Sequence, residues 1–385
     1  MPDITKTFLL TLIILIGWRS PSQAQEFIED VTKLFEIRFQ KPRDSGYHYP
    51  TKLVLAPVIS YEPSTSLGIG VGTKLLFKFN GSDSADRTSN VPMTAQYTLL
   101  NQFFFLSEYN IFTKREAYLI KGEVNYLQYP ISFFGTGTST LPDQSVLLNY
   151  RQFLWEPIML RNVWKDLFVG GGLRYNAFSD VEIIENAAGE EINERLDSLN
   201  FRSVGLEFAF TYDSRNSLIN ASKGYLIEFT HGFYEEWMGS TQNFTISRID
   251  LRKYWTLPND DALAGQIFTR MSSRQTPTLE QSALGGSTLL RGFPERRFID
   301  QYAFFGQMEY RWKPLKRLGM VFFAAAGDVG NGERTWSLET LKYSLGTGLR
   351  LTIVPSEELN IRLDYGLGIH DEIEQGFYLG IAEAF

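Results

Sequence analysis

From Leu359 to His370 the chain alternates without a break. Leu359, Ile361, Leu363, Tyr365, Leu367 and Ile369 fall on one face, and Asn360, Arg362, Asp364, Gly366, Gly368 and His370 on the other. Successive side chains of an extended strand point to opposite faces, so this run presents one apolar face and one polar or glycine face. The segment before it repeats the pattern, with Leu345, Thr347, Leu349, Leu351 and Ile353 against Ser344, Gly346, Gly348, Arg350 and Thr352. Further upstream Arg248, Asp250 and Arg252 oppose Ile249, Leu251 and Trp255. A soluble sandwich alternates too, but its strands average about 5–6 residues. Several runs here reach ten residues or more, the length a tilted strand needs to cross a bilayer. No helical stretch intervenes, which argues against βαβ units.

The composition fits the same class. Aromatics make up 15% of the 385 residues and there are 32 glycines, yet the mean hydropathy is only -0.17. A helical membrane protein would be more apolar; a barrel needs apolar residues outward, polar ones in the lumen and aromatic girdles. Short polar turns at Lys114-Arg115, Leu257 to Asp260, Pro314 to Arg317 and Pro355 to Glu358 punctuate longer loops at Tyr129 to Ser145, Asp180 to Ser198 and Thr276 to Gln301. That asymmetry matches short periplasmic turns and longer outer loops. The pattern predicts an all-β fold: a transmembrane antiparallel β-barrel of about 16 strands over residues 51–385, closed so that no strand edge meets hydrocarbon.

The ends point to export. Lys6, the apolar run Phe8 to Gly17 and the small residues around Ser22-Gln23-Ala24 read as a signal peptide over residues 1–24, with an uncleaved anchor or a buried strand as alternatives. The run is too short to span a bilayer as a helix. Residues 25–50 form an N-terminal periplasmic segment. Within it Phe27, Val31, Leu34 and Phe35 recur at helical spacing, acids precede Arg38 and Lys41, and Pro42 ends the pattern. This predicts a short amphipathic helix at the periplasmic rim or in the lumen, a disordered tether being the alternative.

The long connection before Gln301 carries Gly285-Gly286-Ser287-Thr288-Leu289-Leu290-Arg291-Gly292-Phe293. Long loops in compact proteins are usually functional or disordered, and glycines, an arginine and a phenylalanine suit packing back onto the protein. GGSTLLRGF resembles the sixth extracellular loop signature of the BamA/TamA superfamily of outer-membrane protein assembly factors (the bacterial surface antigen family). Four further stretches match that family in order: Asp213 to Asn216 with Ser222 to Tyr225, Glu309-Tyr310-Arg311, Met320 to Val329, and Ile361 to Gly366. The chain ends on Phe385, with Phe377, Leu379 and Ile381 before it, like the C-terminal signal of outer-membrane barrels.

The resemblance implies an inward-folded loop anchored by Arg291, Gly292 and Phe293 on Glu309, with Gly285 and Gly286 shaping it. It also implies a lateral seam between first and last strands at Pro57 and Phe385, and a role in outer-membrane protein assembly or transport in a Gram-negative bacterium. A passive pore or lipid-handling barrel is the alternative function. Family members usually carry an aspartate where Ala325 stands, and parity turns Asp328 to the other face, so Glu309 is the only motif-matched acid. The roughly 25 residues before the barrel leave no room for the family's polypeptide-transport-associated (POTRA) domains, since a domain of about 50 residues is already small. The expected partners are outer-membrane lipids and periplasmic or lipoprotein partners in place of those domains.

Two strand features are left open. Gly68, Gly70 and Gly72 lie on one face of the second strand and mark either close approach of another segment or curvature. Pro57 belongs at an edge or a bulge, because proline donates no ladder hydrogen bond. Nucleic acid is disfavoured by the net charge of -7. Cofactors and metals are not expected: there is no cysteine, and His48, His231 and His370 lie on separate segments without catalytic spacing.

Overall fold

The computed structural model describes residues 36–38 (as backbone), 49–62, 66–140, 145–186, 200–332, 339–355 and 358–385. Sixteen strands form the wall. They are β1 (Lys52–Glu62), β2 (Ser66–Phe77), β3 (Ser89–Thr98), β4 (Phe103–Phe112), β5 (Tyr118–Gln128), β6 (Val146–Trp164), β7 (Leu167–Asn186) and β8 (Phe201–Asp213). The second half comprises β9 (Gly224–Tyr234), β10 (Phe244–Thr256), β11 (Ala262–Ser272), β12 (Tyr302–Trp312), β13 (Leu318–Gly330), β14 (Lys342–Val354), β15 (Leu359–Ile369) and β16 (Ile373–Ile381). Four shorter strands are named below by their residues.

Each wall strand pairs antiparallel with the next, from β1–β2 through β15–β16. Among the described residues no ladder joins β16 back to β1, so the barrel is nearly closed with one seam. A 13-residue strand such as β8 rises about 43 Å, which a tilt of about 40° reduces to about 33 Å, close to a bilayer's hydrocarbon thickness. β6 and β7 are longer, and β7 runs to Asn186, past the loop start expected at Asp180. Their extensions pair with each other and with the short strand Ile131–Phe133.

Parity distributes the side chains as the alternation requires. Ile69, Trp155, Leu206, Ile267, Met308 and Leu345 face outward and are exposed, while Glu156, Arg174, Asp250, Glu309, Arg350 and Asp364 point inward and are buried. Apolar outside and charged inside is the inverse of a soluble core, and it is stable where the outer solvent is lipid.

At Glu36–Arg38 the N-terminal segment is extended where a helix was expected. Glu36–Arg38 is a strand paired with Lys52–Val54 on the seam-side edge of β1; the rest of the proposed helix lies outside the described residues, as does the proposed signal peptide. Among the described residues β1 has no ladder with β16, and Glu36–Arg38 satisfies backbone N–H and C=O groups of that edge at Lys52–Val54.

Candidate functional site

The 273–301 connection leaves β11, turns at Thr278–Glu280, and forms a two-stranded stem of Ser282–Leu284 with Phe298–Asp300. Its tip folds on itself: Gly285 N–H donates to Leu289 O at 3.1 Å and Gly286 N–H to Phe293 O at 3.1 Å. Gly285, Gly286 and Gly292 adopt φ of +114°, +112° and +113°, a region open to glycine at little cost. At Gly292 the need is also spatial, because a Cβ would lie 2.3 Å from the Gly368 backbone nitrogen.

The tip lies inside the barrel. Arg291 is 1% exposed. Its Nη1 donates to Asp364 Oδ2 of β15 at 2.8 Å, and its Nη2 to Glu309 Oε2 of β12 at 2.9 Å and Gln307 Oε1 at 3.3 Å. The guanidinium stacks on Phe323 of β13, 3.5 Å from the ring centre. The two acids are shared further. Glu309 Oε1 accepts from Arg311 Nε at 2.9 Å, and Asp364 is paired with Arg350 and Arg362. Arg350 in turn holds Glu383 at 2.6 Å. The site is therefore a buried network of four arginines and three acids. Such pairs are strong only while every member is satisfied.

Backbone contact completes the seating. A Cβ on Gly366 would stand 2.9 Å from Arg291 C and O, and one on Gly368 2.7 Å from the Phe293 ring, so these β15 glycines form the bed on which the tip lies. Ser344 Oγ donates to Arg291 O. Tyr378 of β16 accepts from Gly292 N–H at 2.9 Å and donates to Phe293 O at 3.1 Å. Phe293 is buried with Leu284, Leu290, Phe298, Ala303, Phe305 and Val329.

A family model described as the Omp85 superfamily domain matches residues 162–385, more than half of the chain. The chain belongs to the Omp85 superfamily. It is accordingly an outer-membrane β-barrel of the Gram-negative type, in contact with outer-membrane lipids. Among solved structures, BamA from Haemophilus ducreyi lacking POTRA domains 1-3 is similar at a TM-score of 0.52 and 12% identity, covering 94% of this chain and 77% of that one. CdiB from Acinetobacter baumannii is similar at a TM-score of 0.53 and 14% identity, covering 86% of this chain and 58% of that one. No curated protein matches. These likenesses support the fold.

Sequence reasoning placed Arg291, Gly292, Phe293 and Glu309 together, and the Omp85 barrel does bring them together. It missed Asp364, which corrects the expectation of a single acid. Ala325 packs beneath the Phe293 cluster without a charge, and Asp328 pairs with Lys342 and Thr340 rather than with Arg291. β15 supplies the second carboxylate, and its inward parity was already visible in the Leu359–His370 alternation.

Two more buried charges of the loop were missed. Glu280 pairs with Arg174 of β7 at 2.6 Å and Arg270 of β11 at 3.1 Å, and accepts from Asn176. Arg297 holds Glu374 of β16 at 3.0 Å and donates to Thr140 Oγ1 and O at 2.6 and 2.8 Å. The Omp85 loop is thus tied to the wall by an acid at its entry, an arginine at its tip and another at its exit. His370, beside the rim, meets Phe298 edge-on at 5.8 Å. Burial and the Lys342 ammonium lower its pKa from 6.5.

The seam residues separate. Pro57 faces outward on β1, and the β1–β2 ladder passes it without a register shift, which removes the bulge reading. A proline fits such a ladder where its nitrogen faces away from the partner. Phe385 is not a seam residue. β16 ends at Ile381, Ala382 turns at φ +81°, and Phe385 lies buried with Ala221, Tyr254 and Ala264. Gly70 and Gly72 do not receive the loop: a Cβ there would meet Ala95 O at 2.2 Å and Ile381 Cδ1 at 3.0 Å, respectively.

Proposed function

We propose that this Omp85 barrel handles polypeptide clients at its lateral seam, in outer-membrane protein assembly and insertion or in transport, with the 273–301 loop as the gate of its lumen. Arg291, Gly292, Phe293 and Glu309, joined by Asp364, are the anchor of that gate; Gly285 and Gly286 set its shape. Residues 1–24 act as the export signal, and periplasmic or lipoprotein partners deliver clients to residues 25–50 and the adjoining rim.

One contrast carries the reading. The lumen is occupied by a loop whose charges are buried and paired, whereas among the described residues the wall has no ladder between β1 and β16. Extended chain adds readily to an exposed strand edge, where main-chain hydrogen bonds supply affinity. A barrel plugged along its axis, with β1 and β16 not laddered to each other among the described residues, is better suited to sideways exchange with the membrane than to passive flow.

The test is reconstitution. Purified protein in liposomes is mixed with a urea-unfolded outer-membrane barrel, and folding of that client is followed by heat-modifiable migration and protease protection. The reading expects faster client folding than in empty liposomes, and only brief, small currents from the protein alone in planar bilayers. Steady current without client folding would establish the passive-pore alternative instead.

A further inference from the structure

The turn between β8 and β9 lies opposite the seam, and it does not stay at its own rim. Asn216 Oδ1 accepts from Ser222 and Lys223 N–H at 3.0 Å, fixing the base, and Ser217 Oγ accepts from Ile219 and Asn220 N–H at 3.1 and 3.2 Å. Between these caps the segment Leu218-Ile219-Asn220-Ala221 projects into the barrel mouth. Leu218 packs on the near wall, against the cluster of Phe112, Leu119, Ile158, Leu160 and Phe168. Ile219, 7% exposed, reaches the far wall. There it joins Val54 of β1 and Leu76 of β2 on one side of the seam, and Ile353 and Val354 of β14, Leu359 of β15 and Ile381 of β16 on the other.

We propose that residues 217–221 are a latch that closes the short-turn mouth of the barrel and clasps the two sides of the seam together. An aliphatic cluster straddles the seam, where the described residues form no β1–β16 ladder, so burial of Ile219 supplies cohesion that hydrogen bonds elsewhere provide. The latch is also joined to the loop. Arg311 donates from Nη1 to Ala221 O at 2.9 Å and from Nη2 to Phe385 O at 2.9 Å, while its Nε holds Glu309 Oε1. Glu309 Oε2 carries Arg291. One carboxylate thus fixes the outer plug and the inner latch, and release of either removes a support of the other; linkage makes that coupling reciprocal. The inference rests on the lateral-seam reading but concerns closure alone, so it is tested without any client.

The experiment uses full-length protein in planar bilayers, with and without deletion of residues 285–297, in the natural, Ile219→Ala and Ile219→Asp forms. A disulfide reporter, Val58→Cys with Ile381→Cys, is built in parallel in this cysteine-free chain. Both native side chains lie near one point over Gly72, at 3.2 and 3.0 Å. The latch predicts that loop deletion alone leaves brief, small openings. Adding Ile219→Ala should raise the open fraction at least about 10-fold, from the cost of an isoleucine truncation, and Ile219→Asp should raise it further. Disulfide yield should fall in the same order. Heat-modifiable migration verifies that each barrel has folded; the milder Ile219→Ala decides the matter if Ile219→Asp does not fold. Full steady conductance on loop deletion alone, or unchanged current and disulfide yield in both Ile219 variants, would overturn the proposal.

Discussion

Replacing Arg291 by alanine removes two charged hydrogen bonds, to Asp364 at 2.8 Å and Glu309 at 2.9 Å, with a weaker one to Gln307. At about 1.5–3 kcal/mol each, the charged bonds alone suggest a loss of about 3–6 kcal/mol. The network reduces it. Glu309 keeps Arg311 at 2.9 Å, and Asp364 keeps Arg350 and Arg362, so neither acid is left without a cation. Four arginines against three acids become three against three, which also relieves repulsion. We expect about 2–3 kcal/mol, or about 30–150-fold in the opening equilibrium of the loop. Glu309→Gln works in the other direction: Arg291, Arg311, Arg350 and Arg362 would face only Asp364 and Glu383, and uncompensated buried charge costs about 3–5 kcal/mol. The acid substitutions Glu309→Gln and Asp364→Asn should therefore loosen the loop more than Arg291→Ala. A cysteine at Ala325, on the wall beneath the loop, reports opening through its rate of labelling by an impermeant maleimide. Double-mutant cycles of Arg291 with each acid should give coupling of about 0.5–3 kcal/mol. Zero coupling with both acids, or an Arg291→Ala effect exceeding that of Glu309→Gln, would refute the shared-network account.

Other perturbations separate the remaining contacts. Gly292→Ala meets both the left-handed φ of +113° and the β15 backbone, so it should unseat the tip as fully as Arg291→Ala in the same labelling assay. Glu280→Gln leaves Arg174 and Arg270 buried with reduced compensation and should raise protease cleavage at the loop entry more than at its tip. Protonation of His370 is disfavoured in the folded state, with Lys342 and Arg297 opposing it and Asp371 and Asp328 favouring it. A group whose folded pKa is lowered this way costs stability as pH falls below its unfolded value. Loop protease sensitivity should therefore rise below about pH 6.5, and His370→Asn should flatten that dependence.

The wall of the barrel was legible because alternation is a local property with a physical cause: each strand must show lipid one face and the lumen the other. The Arg291–Glu309 pairing was legible from motif, and Asp364 could have been found by parity, since it stands on the inward face of an alternating run. Glu280, Arg297 and the inward turn of Phe385 had no such signal. Their partners lie on strands remote in sequence, at Arg174, Glu374 and Arg311, and closure alone brings them near. The strand at Glu36–Arg38 had no signal either, because its pairing with Lys52–Val54 depends on where the edge of β1 lies.

The lateral route itself is tested by locking the seam. Val58→Cys with Ile381→Cys is oxidised in proteoliposomes and the folding rate of an unfolded outer-membrane barrel client is measured before and after reduction. Client folding is expected to fall to the rate of empty liposomes when the disulfide is closed and to return when it is reduced. Client folding that proceeds equally fast through a fully oxidised seam would contradict it.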